Sequence, residues 1–111
     1  MRASTGYKAL LRFLYLREES TQESNGEVDR ILWELREIDS RFGESYGFAS
    51  FGDAGSFNAQ INLAFLDEMA LVIYQASNPH VELTELGRGF ASQLEFPEEL
   101  EQAIPAFLQS L

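Results

Sequence analysis

Two segments in the second half of the chain decide the fold: LAFLDEMALV at residues 63–72 and VELTELGRGFA at residues 81–91. The first predicts a helix that runs directly into a strand, because apolar residues at helical spacing give way to the β-prone pair that ends the segment. The second predicts a return strand that turns abruptly into a new helix, since Thr84 can cap the helix N-terminus and Gly87 lets the helix lie close to its neighbour. Together they predict a helix, a β-hairpin and a further helix.

Hydrophobic periodicity predicts the remaining elements around these segments. We expect helices over residues 5–17, 28–42, 57–69, 85–94 and 97–111, strands over residues 46–51, 70–75 and 81–83, and loops or turns over residues 18–26, 52–55 and 77–79. Ser24 and Glu27 have the spacing of a capping box in front of the second helix, and Gly43 is placed to end it. Pro105 should kink the last helix or split it in two.

This order of elements, with the two quoted segments, resembles the winged-helix (winged helix-turn-helix) superfamily. There the third helix runs into the wing, and the return strand ends in an LTxxGR-type cap like the LTELGR at residues 83–88. The resemblance covers roughly residues 5–94 and implies a mainly α fold with a small β-hairpin wing (α+β). Residues 97–111 add a C-terminal amphipathic helix to a single domain spanning residues 1–111. No subfamily follows, since PadR-like and MarR-like regulators look like this, as do accessory domains of ATPases and transporters that bind no DNA.

The charge balance argues against DNA as the partner. Eighteen acidic residues against eight basic ones give a formal net charge of −10. Such a field repels nucleic acid, and binding duplex DNA requires cations at several phosphates. In DNA-binding relatives the third helix enters the major groove, yet no Lys or Arg lies between Arg41 and Arg88. The residues that could contact nucleic acid or another anion are Lys8, Arg12, Asn58, Gln60 and Asn62. The cations of the first helix, which include Arg17, could instead be solvated or paired inside the chain.

Trp33 is the residue that most favours a protein interface. It points nearly opposite the apolar stripe of the second helix, and tryptophan is enriched at interface hot spots. The alternative is that the first or last helix of the same chain covers it. The predicted partner interface, which would support a homodimer, consists of Trp33, Ile104, Phe107 and Leu108.

Catalysis has almost no support in the sequence. There is no cysteine, His80 is the single histidine, and no HExxH, DxDxDG or phosphate-binding motif occurs. We therefore expect no catalytic, cofactor-binding or metal-binding residues. We also expect no membrane segment or targeting signal, and a cytoplasmic location, because a chain without cysteine fits a reducing compartment.

The sequence thus predicts a non-enzymatic interaction module, a homodimeric adaptor or regulatory protein that binds another protein. The alternative is a DNA-binding winged-helix transcriptional regulator, which rests on analogy with the fold. A third hypothesis, an acidic decoy that occupies a DNA-binding protein, fits the net charge but has no specific residue behind it.

Overall fold

A small antiparallel sheet and a helical core form the fold in the computed structural model, which describes residues 3–23, 25–42, 55–75, 77–95 and 98–111. The elements within these ranges are α1 (Ala3–Thr21), β1 (Asn25–Glu27), α2 (Val28–Phe42), α3 (Gly55–Glu68), β2 (Val72–Gln75), β3 (Asn78–Leu83), α4 (Glu85–Ala91) and α5 (Glu98–Gln109). This is the mainly helical α+β, winged-helix-like layout that the sequence predicts.

The sheet has the strand order β1-β3-β2, and both pairings are antiparallel. Val81 and Leu83 of β3 are buried, so the alternation of side chains along the strand turns His80 and Glu82 to the outer face. On the free edge of β2, the backbone N–H of Tyr74 donates to a carboxylate oxygen of Asp67 at 3.2 Å. That bond occupies an edge donor that could otherwise pair with another strand.

The first strand lies in the segment that the sequence predicts as a loop. Residues 25–27 form β1, which lies between α1 and α2 in the sequence, and they pair with residues 80–82 of β3. The capping-box prediction fails for Glu27 because this residue is in β1, while Ser24 lies outside the described residues. The strand predicted over residues 46–51 and the helix end predicted at Gly43 also lie outside the described residues.

Other boundaries shift by a few residues. Helix α1 continues to Thr21 rather than ending at residue 17, and the Thr21 hydroxyl donates to the carbonyl of Arg17 at 2.9 Å. Strand β3 begins at Asn78, inside the predicted turn, and α4 ends at Ala91. Helix α5 is a single helix that contains Pro105, so the predicted split does not occur.

The core lies where α1 packs against α5, α3 and α4, and where α2 packs against the sheet and α3. Helix α1 is buried around much of its circumference, with Leu10, Leu11 and Phe13 fully inside. The inner stripe of α2 is buried as its periodicity predicts, and consists of Val28, Ile31, Leu32, Leu35 and Ile38. Burial of each large apolar side chain stabilises the fold by roughly 1.5–3 kcal/mol.

The hairpin-to-helix corner forms as the LTELG motif predicts. The Thr84 hydroxyl oxygen accepts from the backbone N–H of Gly87 at 2.9 Å and donates to the carbonyl of Ala70 at 2.6 Å. A Cβ at Gly87 would lie 1.9 Å from the carbonyl oxygen of Leu71. Only glycine therefore allows α4 to approach the start of the hairpin this closely.

Candidate functional site

Helix α3 precedes the β-hairpin, which is the place of the DNA-contacting helix in the winged-helix proteins that the sequence resembles, and its outer face is largely apolar. Leu63 and Leu66 are buried and set the inner face of the helix. At 100° per residue, the opposite side carries four exposed residues that we call the α3 outer face: Ile61, Ala64, Phe65 and Glu68. The helix thus presents a hydrophobic surface where cations and amides would be expected for DNA.

Two large side chains dominate the α3 outer face. Ile61 is 52% exposed and Phe65 is 44% exposed, one helical turn apart. The Phe65 ring meets the edge of the Tyr7 ring from α1, with centroids 5.1 Å apart and an interplanar angle of 69°. Because Tyr7 supports one side of Phe65, the ring is held in place while its other side stays open to solvent.

The surroundings of this face are polar and acidic. Gln60 and Asp67 flank it, and both are exposed. The outer face of the sheet places Glu27 opposite His80 and Ile73 opposite Glu82. In winged-helix proteins that bind DNA the wing contacts phosphate, which two carboxylates on this small sheet would repel.

Arg12, one of the predicted anion contacts, is paired inside the chain with Glu101 of α5. The Arg12 Nε–H donates to Glu101 Oε2 at 3.0 Å, a second ion-pair contact joins Nη2 to Oε1, and Nη1 donates to the carbonyl of Ala91 at 2.9 Å. The hydrogen bond to Glu101 raises the pKa of Arg12 above its ordinary value, so Arg12 stays cationic. Glu101 thus pairs with a basic residue of α1 in the same chain.

Arg17 is more deeply buried and pairs with Glu34 of α2. Their Nε and Oε1 atoms lie 2.8 Å apart, and the Glu34 side chain is only 1% exposed. The second oxygen of Glu34 accepts from the Nε–H of the largely exposed Arg30 at 3.3 Å. The guanidinium of Arg17 also explains Gly26 in β1, since a Cβ there would lie 2.9 Å from Arg17 Nη1. This buried pair ties α1 to α2 and to the sheet.

A fourth ion pair joins α4 to α1. Arg88 Nη2 lies 2.7 Å from Glu18 Oε1, and Arg88 Nε–H donates to both oxygens of Glu18. The hydrogen bond to Glu18 raises the pKa of Arg88. At least four of the eight basic residues, all in the part of the chain that the structure describes, therefore form ion pairs within it. The interpretation in which basic residues are paired internally holds for Arg12 and Arg17, while Lys8 is exposed.

The amide residues predicted as nucleic-acid contacts do not share one environment. Gln60 is exposed beside the α3 outer face, whereas Asn62 is half-buried and already has an interaction. The side chain of Asn58 lies outside the described ones. Neither of the two described amides has a cation on α3 to hold DNA phosphate beside it.

Of the predicted interface residues, Trp33 is the accessible one. It is 44% exposed, and its ring lies 6.4 Å from that of Phe107. Phe107 is buried, as are Ile104 and Leu108, because α5 turns these three side chains into the core. The guanidinium of Arg41 also covers the Phe107 ring, 4.7 Å from its centroid. The last helix thus covers Trp33 in part and leaves almost half of it in solvent.

A polar cleft of about 390 Å³ lies beside β1. Its lining residues are Arg17, Glu23, Asn25, Gly26, Glu27, Arg30 and His80. Both arginines pair with Glu34 and the lining carries two further carboxylates, so the cleft offers no net positive charge to an anionic ligand.

Metal-binding and membrane-spanning features are not found in the described part of the chain. Within it, no group of three or more His, Asp or Glu side chains could hold a metal ion. No helix among the same residues combines the length and apolar character needed to cross a bilayer.

Comparison with protein-family models, curated proteins and solved structures gives no match for this chain. The resemblance to the winged-helix superfamily accordingly rests on the layout of the elements and on the hairpin-to-helix motif.

The apolar α3 outer face is the feature that sequence reasoning missed. Apolar residues at positions 57, 61, 65 and 69 form one line on the predicted helix, and Leu63 and Leu66 form another. Either line could have faced the core, and the structure buries Leu63 and Leu66. A helix with two apolar lines is the available signal, since one of them is left for a second contact.

Proposed function

We propose that this chain is a non-enzymatic interaction module of the winged-helix type that binds another protein through the α3 outer face. The observation that carries the proposal is the pair Ile61 and Phe65, which are exposed on the helix that would otherwise contact DNA. An apolar surface buried by a partner stabilises a complex, whereas the same surface against a DNA backbone leaves phosphates without cations.

The electrostatics of the chain support a protein partner over DNA. The net charge is −10, and half of the cations are held in ion pairs by carboxylates of the same chain. Few cations remain to displace counterions from a duplex, and the wing and third helix contribute none.

The proposal includes a homodimer and a cytoplasmic location. Trp33 supports self-association because a half-exposed tryptophan contributes a large area at low entropic cost when a second surface covers it. The proposal includes a regulatory or adaptor role, which the exposed apolar and aromatic side chains support because they suit binding, and the transcriptional regulator remains the alternative function.

A labelled generic DNA duplex distinguishes the two functions. We expect no change in fluorescence anisotropy when the duplex is titrated with micromolar protein, at low salt and again at physiological salt. Binding that weakens as salt increases would contradict the proposal and assign the chain to the DNA-binding regulators, because salt dependence is the signature of phosphate contacts.

Matched variants test whether the α3 outer face binds a protein partner. Ile61→Ser removes an apolar side chain from the α3 outer face, and Ile73→Ser removes one of equal exposure, 52%, from the outer face of the sheet. A partner retained by the wild type and by Ile73→Ser but lost by Ile61→Ser supports the proposal. A partner lost equally from both variants, or from neither, would place the contact elsewhere.

A further inference from the structure

We propose that the partner contacts the α3 outer face with a positively charged amphipathic helix. This inference rests on the proposed protein-binding function and adds the chemistry of the partner: an apolar stripe flanked by Lys or Arg.

The shape of the α3 outer face suits a helix. Ile61 and Phe65 lie four residues apart and form one ridge, and the side chain of the exposed Ala64 beside them is small. Ridges of this spacing pack into the grooves of a second helix in the commonest class of helix–helix contact. A partner strand is the less suitable shape, because Asp67 already accepts the N–H of Tyr74 on the neighbouring sheet edge.

The charge around the ridge determines the charge of the partner. Glu68 continues the α3 outer face at its C-terminal end, and Asp67 and Gln60 lie along one flank. Helix α3 itself carries no cation, so a Lys or Arg on a docked helix would meet carboxylates there. The formal charge of −10 would also steer a basic segment towards the protein and repel an acidic one.

This charge pattern disfavours a second copy of the chain as the occupant of the α3 outer face, which does not include Trp33, the residue proposed for the dimer contact. Two copies would each bring the same negative charge, and Arg12, Arg17, Arg30 and Arg88 are already held by carboxylates of their own chain. A protein that supplies its own exposed cations relieves this repulsion.

A peptide display library tests the inference directly. The library presents amphipathic helices of about 18 residues, or about five turns, with a fixed leucine stripe and all other positions randomised among Lys, Glu, Gln and Ser. It is selected on the wild-type protein at low salt. We expect enriched peptides to carry net positive charge, and binding to weaken as salt increases.

Matched variants locate the contact on the surface. The enriched peptides should bind Ile61→Ser and Phe65→Ser at least about tenfold more weakly than the wild type, and bind Ile73→Ser within about twofold. Glu68→Gln should weaken binding about two- to threefold at low salt and have no effect at high salt. All four positions are exposed, and a circular dichroism melt confirms that each variant is folded.

Three outcomes would overturn the inference. Enriched peptides that are neutral or acidic but still depend on Ile61 would refute the basic partner and leave the proposed function intact. Enrichment that does not depend on Ile61 or Phe65 would refute this face as the docking site. The same result together with salt-sensitive binding of a DNA duplex would refute the proposed function as well.

Discussion

Helices α2 and α3 both carry apolar residues at helical spacing, but only α2 is amphipathic, and the two helices use these residues in different ways. In α2 the apolar stripe gathers on one side and is buried, while charged residues and the half-exposed Trp33 lie on the rest of the surface. In α3 the apolar residues lie on two sides, so that Leu63 and Leu66 are buried while Ile61 and Phe65 stay exposed.

The difference separates residues that fold the chain from residues available for a partner. A single apolar stripe is fully used by the core, whereas a second stripe remains as accessible hydrophobic area. The buried charge follows the same rule, since Glu34 is the polar residue that α2 buries and it has two cationic partners. Substitutions of buried residues on the two helices should therefore cost more folding stability than substitutions of exposed ones.

The largest effect is expected for Glu34→Ala on α2. This change leaves Arg17 buried without its carboxylate, so the free energy of unfolding should decrease by about 3–5 kcal/mol. Arg30→Ala, which removes the exposed partner of the same carboxylate, should cost less than about 1 kcal/mol. Urea denaturation measures both, and equal effects would show that Glu34 is not buried as described.

The next largest loss of stability is expected for a buried residue of α3, compared with an exposed residue of the same helix. Leu66→Ala should destabilise the protein by about 2–5 kcal/mol because a fully buried leucine leaves a cavity. Ile61→Ala, at a position that is half in solvent, should change the free energy of unfolding by less than about 1 kcal/mol. Chemical denaturation of the pair decides which side of α3 faces the core, and the reverse order would remove the α3 outer face as a candidate site.

The fold was predictable where local signals agree. Helix α2 begins and ends at Val28 and Phe42 as its periodicity predicts, and Thr84 caps α4 as its motif predicts. Strand β1 was not predictable, because its three residues, Asn-Gly-Glu, have low β-propensity and become a strand by pairing with β3. That pairing joins segments more than fifty residues apart, which no local pattern records.

The candidate site was only partly predictable for a similar reason. The exposed position of Trp33 follows from its angle on α2, and its partial exposure agrees with that geometry. The ion pair of Arg12 does not follow from any local pattern, because its partner Glu101 lies 89 residues away in sequence. The exposure of Ile61 and Phe65 depends on how α3 rotates against α1, which is decided by packing between helices.

A smaller effect is expected for the two glycines of α4, which contrast buried and exposed positions within one short helix. Gly87→Ala should cost at least about 1–3 kcal/mol, because the new methyl group would overlap the carbonyl oxygen of Leu71. Gly89→Ala meets no atom within 4 Å and should stabilise the protein by about 0.4–1 kcal/mol. Thermal melts of the two variants should shift in opposite directions, and a shift in the same direction would contradict the close packing of this corner.

A small change in folding stability is also expected for Trp33→Ala, which tests whether α2 has an interface role besides its core role. Phe107 covers part of the indole, so its removal should destabilise the protomer by about 1 kcal/mol, less than the loss of a fully buried tryptophan. If the proposed dimer forms through this residue, sedimentation equilibrium should show the wild type as a dimer and Trp33→Ala as a monomer. Trp33→Phe, which keeps an aromatic ring beside Phe107, should retain most of the stability and serves as the control for packing. A wild type that is monomeric at every concentration would mean that α5 provides all the cover this tryptophan receives, and α3 would then be the helix whose exposed apolar residues remain for a partner.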